Sequence, residues 1–170
     1  MAFTFLKAQG YEIGKSLFDE SNFDFCKEIL AQHSDKLALP TDVIVAQELS
    51  NTASASAVGV NDIGVNDIGA DIGPGTLATF SAIIASAGTV VWNGPMGVFE
   101  MTPFESGTMG VADAMAASSA VTIVGGGDSA AAAEQFGVAD DMSHVSTGGG
   151  ASLEFLEGQV LPGLTALQDR

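Results

Sequence analysis

Cations are scarce in this chain. Lys and Arg together number five against 21 Asp and Glu, a formal net charge of −16. So acidic a chain repels nucleic acid and anionic lipid, and neither a nucleic acid nor a membrane is expected as a partner. A free polyanionic substrate would meet the same repulsion unless a metal ion or another protein surface supplied positive charge. Most of the carboxylates read as a solvated surface that keeps the protein soluble. Cysteine occurs once, at Cys26, which excludes an internal disulfide framework and fits a reducing compartment. No run approaches the roughly 20 uninterrupted apolar residues of a membrane span. The opening MAFTFLKAQG lacks a basic stretch followed by a long apolar one, so no secretory leader is expected. No hydroxyl or thiol paired with a histidine base suggests a nucleophilic mechanism. A soluble, cytoplasmic chain is expected, and 170 residues at 46% hydrophobic suffice for one ordinary domain.

What is present is concentrated between Ala120 and Phe136, AVTIVGGGDSAAAAEQF. Val121, Thr122, Ile123 and Val124 form an apolar, β-branched run that reads as a buried parallel strand. It breaks at Gly125, Gly126 and Gly127, and Asp128 and Ser129 then lead into an alanine-rich helix. Strand, glycine turn and helix start together offer a phosphate free backbone N–H groups and a positive dipole end. Glycines let the backbone approach a ligand with no side chain in the way. Asp128 reads either as a carboxylate for a hard divalent cation riding on phosphates or as the N-cap of the helix. Ser129 places a hydroxyl donor beside it.

In chain order, residues 1–10 carry Phe3, Phe5 and Leu6 at helical spacing, with Gly10 as stop signal. A second helix is expected over 22–34, with Phe23, Cys26, Ile29 and Leu30 on one face. His33 near its end reads as a solvated residue. A short buried strand follows Pro40, at 43–46. Residues 47–75 are rich in Ser, Ala, Gly, Asn and Asp and read as an irregular surface loop. Within it VNDIG occurs twice in tandem, at 60–64 and 65–69, with a half-echo at 70–73. Two five-residue copies are too few for a solenoid, and a local duplication in a loop is expected. Their Asp spacing matches no calcium loop. Helices over 76–87 and 104–119, strands at 90–93, 121–124 and 143–146, and a second triple glycine at 148–150 complete the pattern. His144 reads as a packed structural histidine.

The alternation predicts an α/β fold, three-layered, with a mostly parallel, Rossmann-like sheet. Three of its strands end in glycine turns, and ligands of open parallel sheets sit at the carboxyl ends of strands. Two triple-glycine turns, each entering a helix, favour a phosphate ligand, and a nucleotide fits best. Glu100 is placed to accept from ribose hydroxyls, while Pro95 and Val98 give an apolar wall for a base.

VVWNGPMGVFE, VTIVGGGDSAAA and SHVSTGGGASLEFLEG, in that order and spacing, resemble phosphoglycerate kinase, as does the opening MAFTFLKAQGYEIGKSLFDE. The resemblance covers nearly the whole of 1–170, apart from the VNDIG loop, and places it in the C-terminal, nucleotide-binding domain. It implies phosphoryl transfer between 1,3-bisphosphoglycerate and MgADP, giving 3-phosphoglycerate and MgATP. By the same resemblance Asp128 is the Mg2+-nucleotide ligand, Ser129 a phosphate contact and Glu100 the ribose acceptor. Leu17, Pro95 and Val98 correspond to the adenine pocket, Gly69 to a contact beside the adenine and Asn93 to the nucleotide-side asparagine. Gly125, Gly126 and Gly127, with Gly148, Gly149 and Gly150, correspond to the helix starts that cradle the phosphates and the transferring group. Gly126, Gly127, Gly149 and Gly150 carry the catalytic role. Such chemistry needs positioning and electrostatic stabilisation rather than a nucleophile.

Several family features have no counterpart here: the N-terminal domain that binds the glycerate, the nucleotide domain's first two strands, and their lysines. 3-Phosphoglycerate is therefore expected as a partner only if that domain is supplied. If the strands keep the family's places, 43–46 is parted from the others by roughly 14 Å, two strands' width. Exposed strand edges then invite self-association. Losing even one cationic partner of the transferring group costs about a thousandfold or more in rate, so the chain alone is expected to be inactive. The alternatives are a non-catalytic nucleotide-binding module and a gene remnant without function.

Overall fold

A computed structural model describes residues 1–167. They form an α/β fold in two compact units, one of Met1–Ile83 with Met96–Val111, the other of Ile84–Pro95 with the chain from Ala112. In chain order the elements are α1 (Ala2–Ala8), α2 (Phe23–His33), β1 (Asp42–Ala46), β2 (Ser56–Gly59), β3 (Ile68–Ile72), α3 (Pro74–Ser86), β4 (Thr89–Asn93), α4 (Ser106–Ala116), β5 (Val121–Gly125), α5 (Gly127–Gln135), β6 (His144–Ser146), α6 (Gly149–Leu156) and α7 (Pro162–Thr165).

The first unit is built on β1. Side chains of a strand alternate between faces, and here both faces are covered. Val43 and Val45 pack with Leu6, Ile13, Val60 and Ile63, while Ile44 and Ala46 pack with Ala70 and Phe104. That is why residues 43–46 are apolar throughout rather than alternating. β2 and β3 flank β1 in the order β2-β1-β3, both antiparallel to it. Residues 47–75 are therefore not an irregular surface loop. Small and polar residues there hide two strands, because hydrogen bonding to β1, rather than side-chain propensity, holds them. The tandem copies also differ from each other. Val60 and Ile63 of the first are buried in the core, whereas Val65 of the second is exposed and Ile68 begins β3. Nor does strand 43–46 present an open edge, since both of its edges are paired. At its start the Asp42 carboxylate accepts from the amides of Gly75 and Thr76 at 2.9 and 2.6 Å, capping the orphan N–H groups of α3.

The second unit holds the parallel sheet, in the order β4-β5-β6. Alanines let α5 lie close on it: Ala130, Ala132 and Ala133 are buried, as are Trp92 and Val124. His144 is exposed, contrary to the packed position expected of it, because three-residue β6 is an edge strand with a neighbour on one side alone. No helix of the described residues is long and apolar enough to cross a membrane.

Candidate functional site

In the second unit both triple-glycine turns lie at the carboxyl end of the parallel sheet. β5 ends at Gly125, and Gly126 is the N-cap of α5 with φ +100°, a conformation that a side chain would strain. Its amide donates to the Ser146 carbonyl at 3.0 Å, which ties the end of β5 to the end of β6. Gly148 is the N-cap of α6, and Gly149 begins that helix. A methyl placed on Gly149 would come within 2.7 Å of the Gly126 Cα and 3.4 Å of the Asn93 amide nitrogen. The two turns and the carboxamide at the end of β4 therefore converge. Ala130 and Ser152 are the first residues of their helices to donate to the caps, at 3.0 and 3.2 Å. The amides before them, at 127–129 and 149–151, have no intrahelical acceptor. They face one small region with the positive ends of two helix dipoles.

Asp128 lies in the first turn of α5 but does not cap it, that place being held by Gly126. Its side chain is exposed and, among the described residues, accepts no hydrogen bond. Ser129 is buried, and its hydroxyl accepts from the Gly94 amide at 2.7 Å, fastening the turn after β4 to α5. Trp92 clamps the same turn, its indole N–H donating to the Gly94 carbonyl at 2.8 Å. Pro95 follows, half-buried. The described part of this unit contains no Lys or Arg, so backbone dipoles alone supply positive potential there. No group of three or more His, Cys, Asp or Glu able to hold a metal occurs among the described residues. The donor set fits a hard cation that arrives on phosphates and takes one protein carboxylate, not a caged ion.

The first unit carries Leu17, Gly69, Val98 and Glu100, and three of them hang on β3. Ser16 is buried and its hydroxyl accepts from the Gly69 amide at 2.9 Å, holding the neighbouring Leu17, which is 85% exposed. A methyl on Gly69 would overlap the Phe3 ring. The Val98 amide donates to the Ala70 carbonyl at 2.9 Å. Glu100 is exposed two residues on. A cleft of about 360 Å³ at the carboxyl end of β1 is lined by Glu48 and Asp67, and its charge opposes phosphate.

Two residues of this unit escaped the sequence analysis. Asp71 is 4% exposed and accepts from the Gly107 and Ile72 amides at 2.6 and 2.8 Å. Thr108 is fully buried and accepts from the Met96 and Gly97 amides, each at 3.1 Å. Asp71 alone left a signal, an acid between Ala70 and Ile72, where a strand would bury it.

Residues 1–159 match the family model described as phosphoglycerate kinase. The phosphoglycerate kinase of Lactobacillus helveticus (strain DPC 4571) is 56% identical over 171 residues, covering 100% of this chain and 42% of that protein. That of Staphylococcus epidermidis (strain RP62A) is 52% identical, covering 100% and 43%. Among solved structures, phosphoglycerate kinase from Coxiella burnetii superposes with a TM-score of 0.91 at 50% identity, over 96% of this chain and 43% of that one. The enzyme from Pyrococcus horikoshii OT3 gives 0.85 at 32% identity, over 98% and 43%. The chain thus spans 42–43% of the length of the curated relatives it matches.

Proposed function

The chain belongs to the phosphoglycerate kinase family, and from that premise we propose that it supplies the nucleotide side of that family's reaction. The reaction is reversible phosphoryl transfer between 1,3-bisphosphoglycerate and MgADP, a carboxyl-acceptor phosphotransferase step of glycolysis in the cytoplasm. The observation that carries the proposal is the meeting of Gly126, Gly149 and Asn93, where two helix starts aim unpaired amides at one place. In this reading the turns Gly125–Gly127 and Gly148–Gly150 bring the free amides of 127–129 and 149–151 to the phosphate tail and the transferring group. Asn93 donates its carboxamide to the same oxygens, while the Ser129 hydroxyl, buried against the Gly94 amide, supports the turn behind them rather than touching the phosphates. Leu17, Gly69, Pro95 and Val98 take the adenine, and Glu100 accepts from the ribose hydroxyls. Mg2+ carried on the nucleotide would be held by Asp128 and would supply countercharge that this unit's described side chains lack. The residues of the chain bind and orient the nucleotide, and fixed dipoles favour charge that develops on the phosphoryl oxygens.

By the family resemblance, glycerate recognition and the guanidinium charge around the transferring group lie outside these 170 residues, and the chain alone is expected to be inactive. Calorimetry tests the assignment. MgADP is expected to bind more tightly than ADP without metal, and Asp128→Ala to abolish the difference between them. Equal heats for the wild type and Asp128→Ala would remove Asp128 from the site. A second reading, a binding module without chemistry, draws on the lack of Lys and Arg in the described part of the second unit. Mixing the chain with a separately made remainder of a relative decides between them, since ATP formation from 1,3-bisphosphoglycerate occurs only under the first.

A further inference from the structure

We propose that Asp71 and Thr108 are positioning residues that fix the segment 96–100 so that Val98 and Glu100 can meet the adenosine end of a nucleotide. The inference rests on reading Val98 and Glu100 as nucleotide contacts.

Three consecutive amides of this segment are satisfied from two sides. Met96 and Gly97 donate to the Thr108 hydroxyl on α4, and Val98 donates to the Ala70 carbonyl on β3. Asp71, next along β3, joins the two supports by accepting from Gly107 at the start of α4. A methyl on Gly97 or on Gly107 would overlap the Asp71 side chain, so segment, strand and helix all close on this one carboxylate. The path continues to Glu100 through the Met101 amide, which donates back to the Val98 carbonyl at 3.0 Å.

A helix cap alone does not account for the arrangement. Ser, Asn or an exposed Asp caps a helix without burying a charge, whereas a buried carboxylate with no cationic partner is costly. What the buried carboxylate adds is rigidity. Its two oxygens accept from fixed amides on β3 and α4, so neither element can slide past the other without orphaning a charge. The segment hung between them is then held in one conformation before any ligand arrives, which lowers the ordering cost of binding.

The test compares ADP with inorganic pyrophosphate on the full chain, by calorimetry with Mg2+, alongside thermal melts. Thr108→Val leaves the Met96 and Gly97 amides without an acceptor, and Asp71→Asn turns an amide donor toward a backbone N–H. Either change is expected to weaken ADP binding by about tenfold or more, the scale of a buried donor left unpaired, with pyrophosphate affinity unchanged. Thr108→Ser restores the acceptor and is expected to recover ADP affinity, which keeps the test intact if Asp71→Asn fails to fold. Equal losses for ADP and pyrophosphate, or undiminished ADP binding by Thr108→Val, would overturn the positioning role alone. A wild type that binds pyrophosphate but not ADP would instead sink the nucleotide reading of Val98 and Glu100, and the positioning role with it. A wild type that binds neither ligand sinks the proposed function as well.

Discussion

Two aspartates of the first unit respond to acid in opposite senses. Burial pushes the Asp71 carboxyl up to about 6 from 3.8, against the Gly107 and Ile72 amides, which favour its charged form. Burial also acts to raise Asp42, but there the Thr76 hydroxyl and the Gly75 and Thr76 amides outweigh it and hold the carboxyl below its ordinary value. The signs follow from which state binds the proton more tightly. Folded Asp71 outbids the unfolded chain for a proton between about pH 4 and 6, so its contribution to stability falls as pH rises through that window. Asp42 stabilises the fold above the ordinary carboxylate value, and its contribution is lost as pH drops through its lowered one. Relief of the acidic self-repulsion also favours the fold as pH falls, but it is common to wild type and Asp71→Asn and cancels between them. Urea unfolding of both is therefore expected to show the wild type gaining on the variant by roughly 2 kcal/mol between pH 7 and 4, since that window takes in most of a shift of about two pKa units. A difference that stays constant with pH would show that Asp71 is not a strained buried acid.

The glycine turns are a property of elements rather than of single side chains, and their glycines are not equivalent. A methyl on Gly149 meets the backbone of Gly126 at 2.7 and 3.1 Å, and backbone cannot swing aside; a methyl on Gly150 meets nothing within 4 Å. Gly149→Ala is expected to destabilise the chain by about 1–3 kcal/mol, as overpacking does. Gly150→Ala, inside α6, is expected to keep or raise stability by up to about 1 kcal/mol while weakening pyrophosphate binding, because its methyl occupies space left for a ligand. Full binding by Gly150→Ala would place the phosphate elsewhere. These turns were legible in the sequence because a β-branched run, a glycine stop and an alanine-rich helix each carry a local signature. β2 and β3 were not, since what makes them strands is β1. The two VNDIG copies make the point most directly: one sequence buries its Val and Ile at 60 and 63 and exposes its Val at 65. The partners within the site were equally hidden. Ser129 serves an amide 35 residues away and Asp71 one 36 away, distances over which no sequence period speaks.

At the scale of the whole molecule, apolar exposure and charge oppose each other. In the second unit Val121, Phe155, Leu156, Val160, Leu164 and Leu167 are each more than half exposed, and among the described residues no further strand pairs with β4 or β6 at the outer edges of the parallel sheet. Such surface and such edges favour association with a second copy or with the remainder of a phosphoglycerate kinase. Against this stands a net charge of −16, whose repulsion between copies reaches about 30 Å in 0.01 M salt and about 3 Å at 1 M. Apolar association is not screened in that way. The chain is accordingly expected to sediment as a monomer in dilute buffer and as larger species in 0.5 M salt, with the remainder of a relative competing against self-association. Replacing Phe155 and Leu156 by Ser, on the exposed helix α6 and away from the glycine turns, is expected to move the onset of association to higher salt without changing the pyrophosphate heats. Monomer at every ionic strength would mean that this apolar surface is too dispersed to bind a copy. Association strongest at low salt would mean that charge rather than apolar contact drives it, and that the acidic surface does more than keep the chain apart.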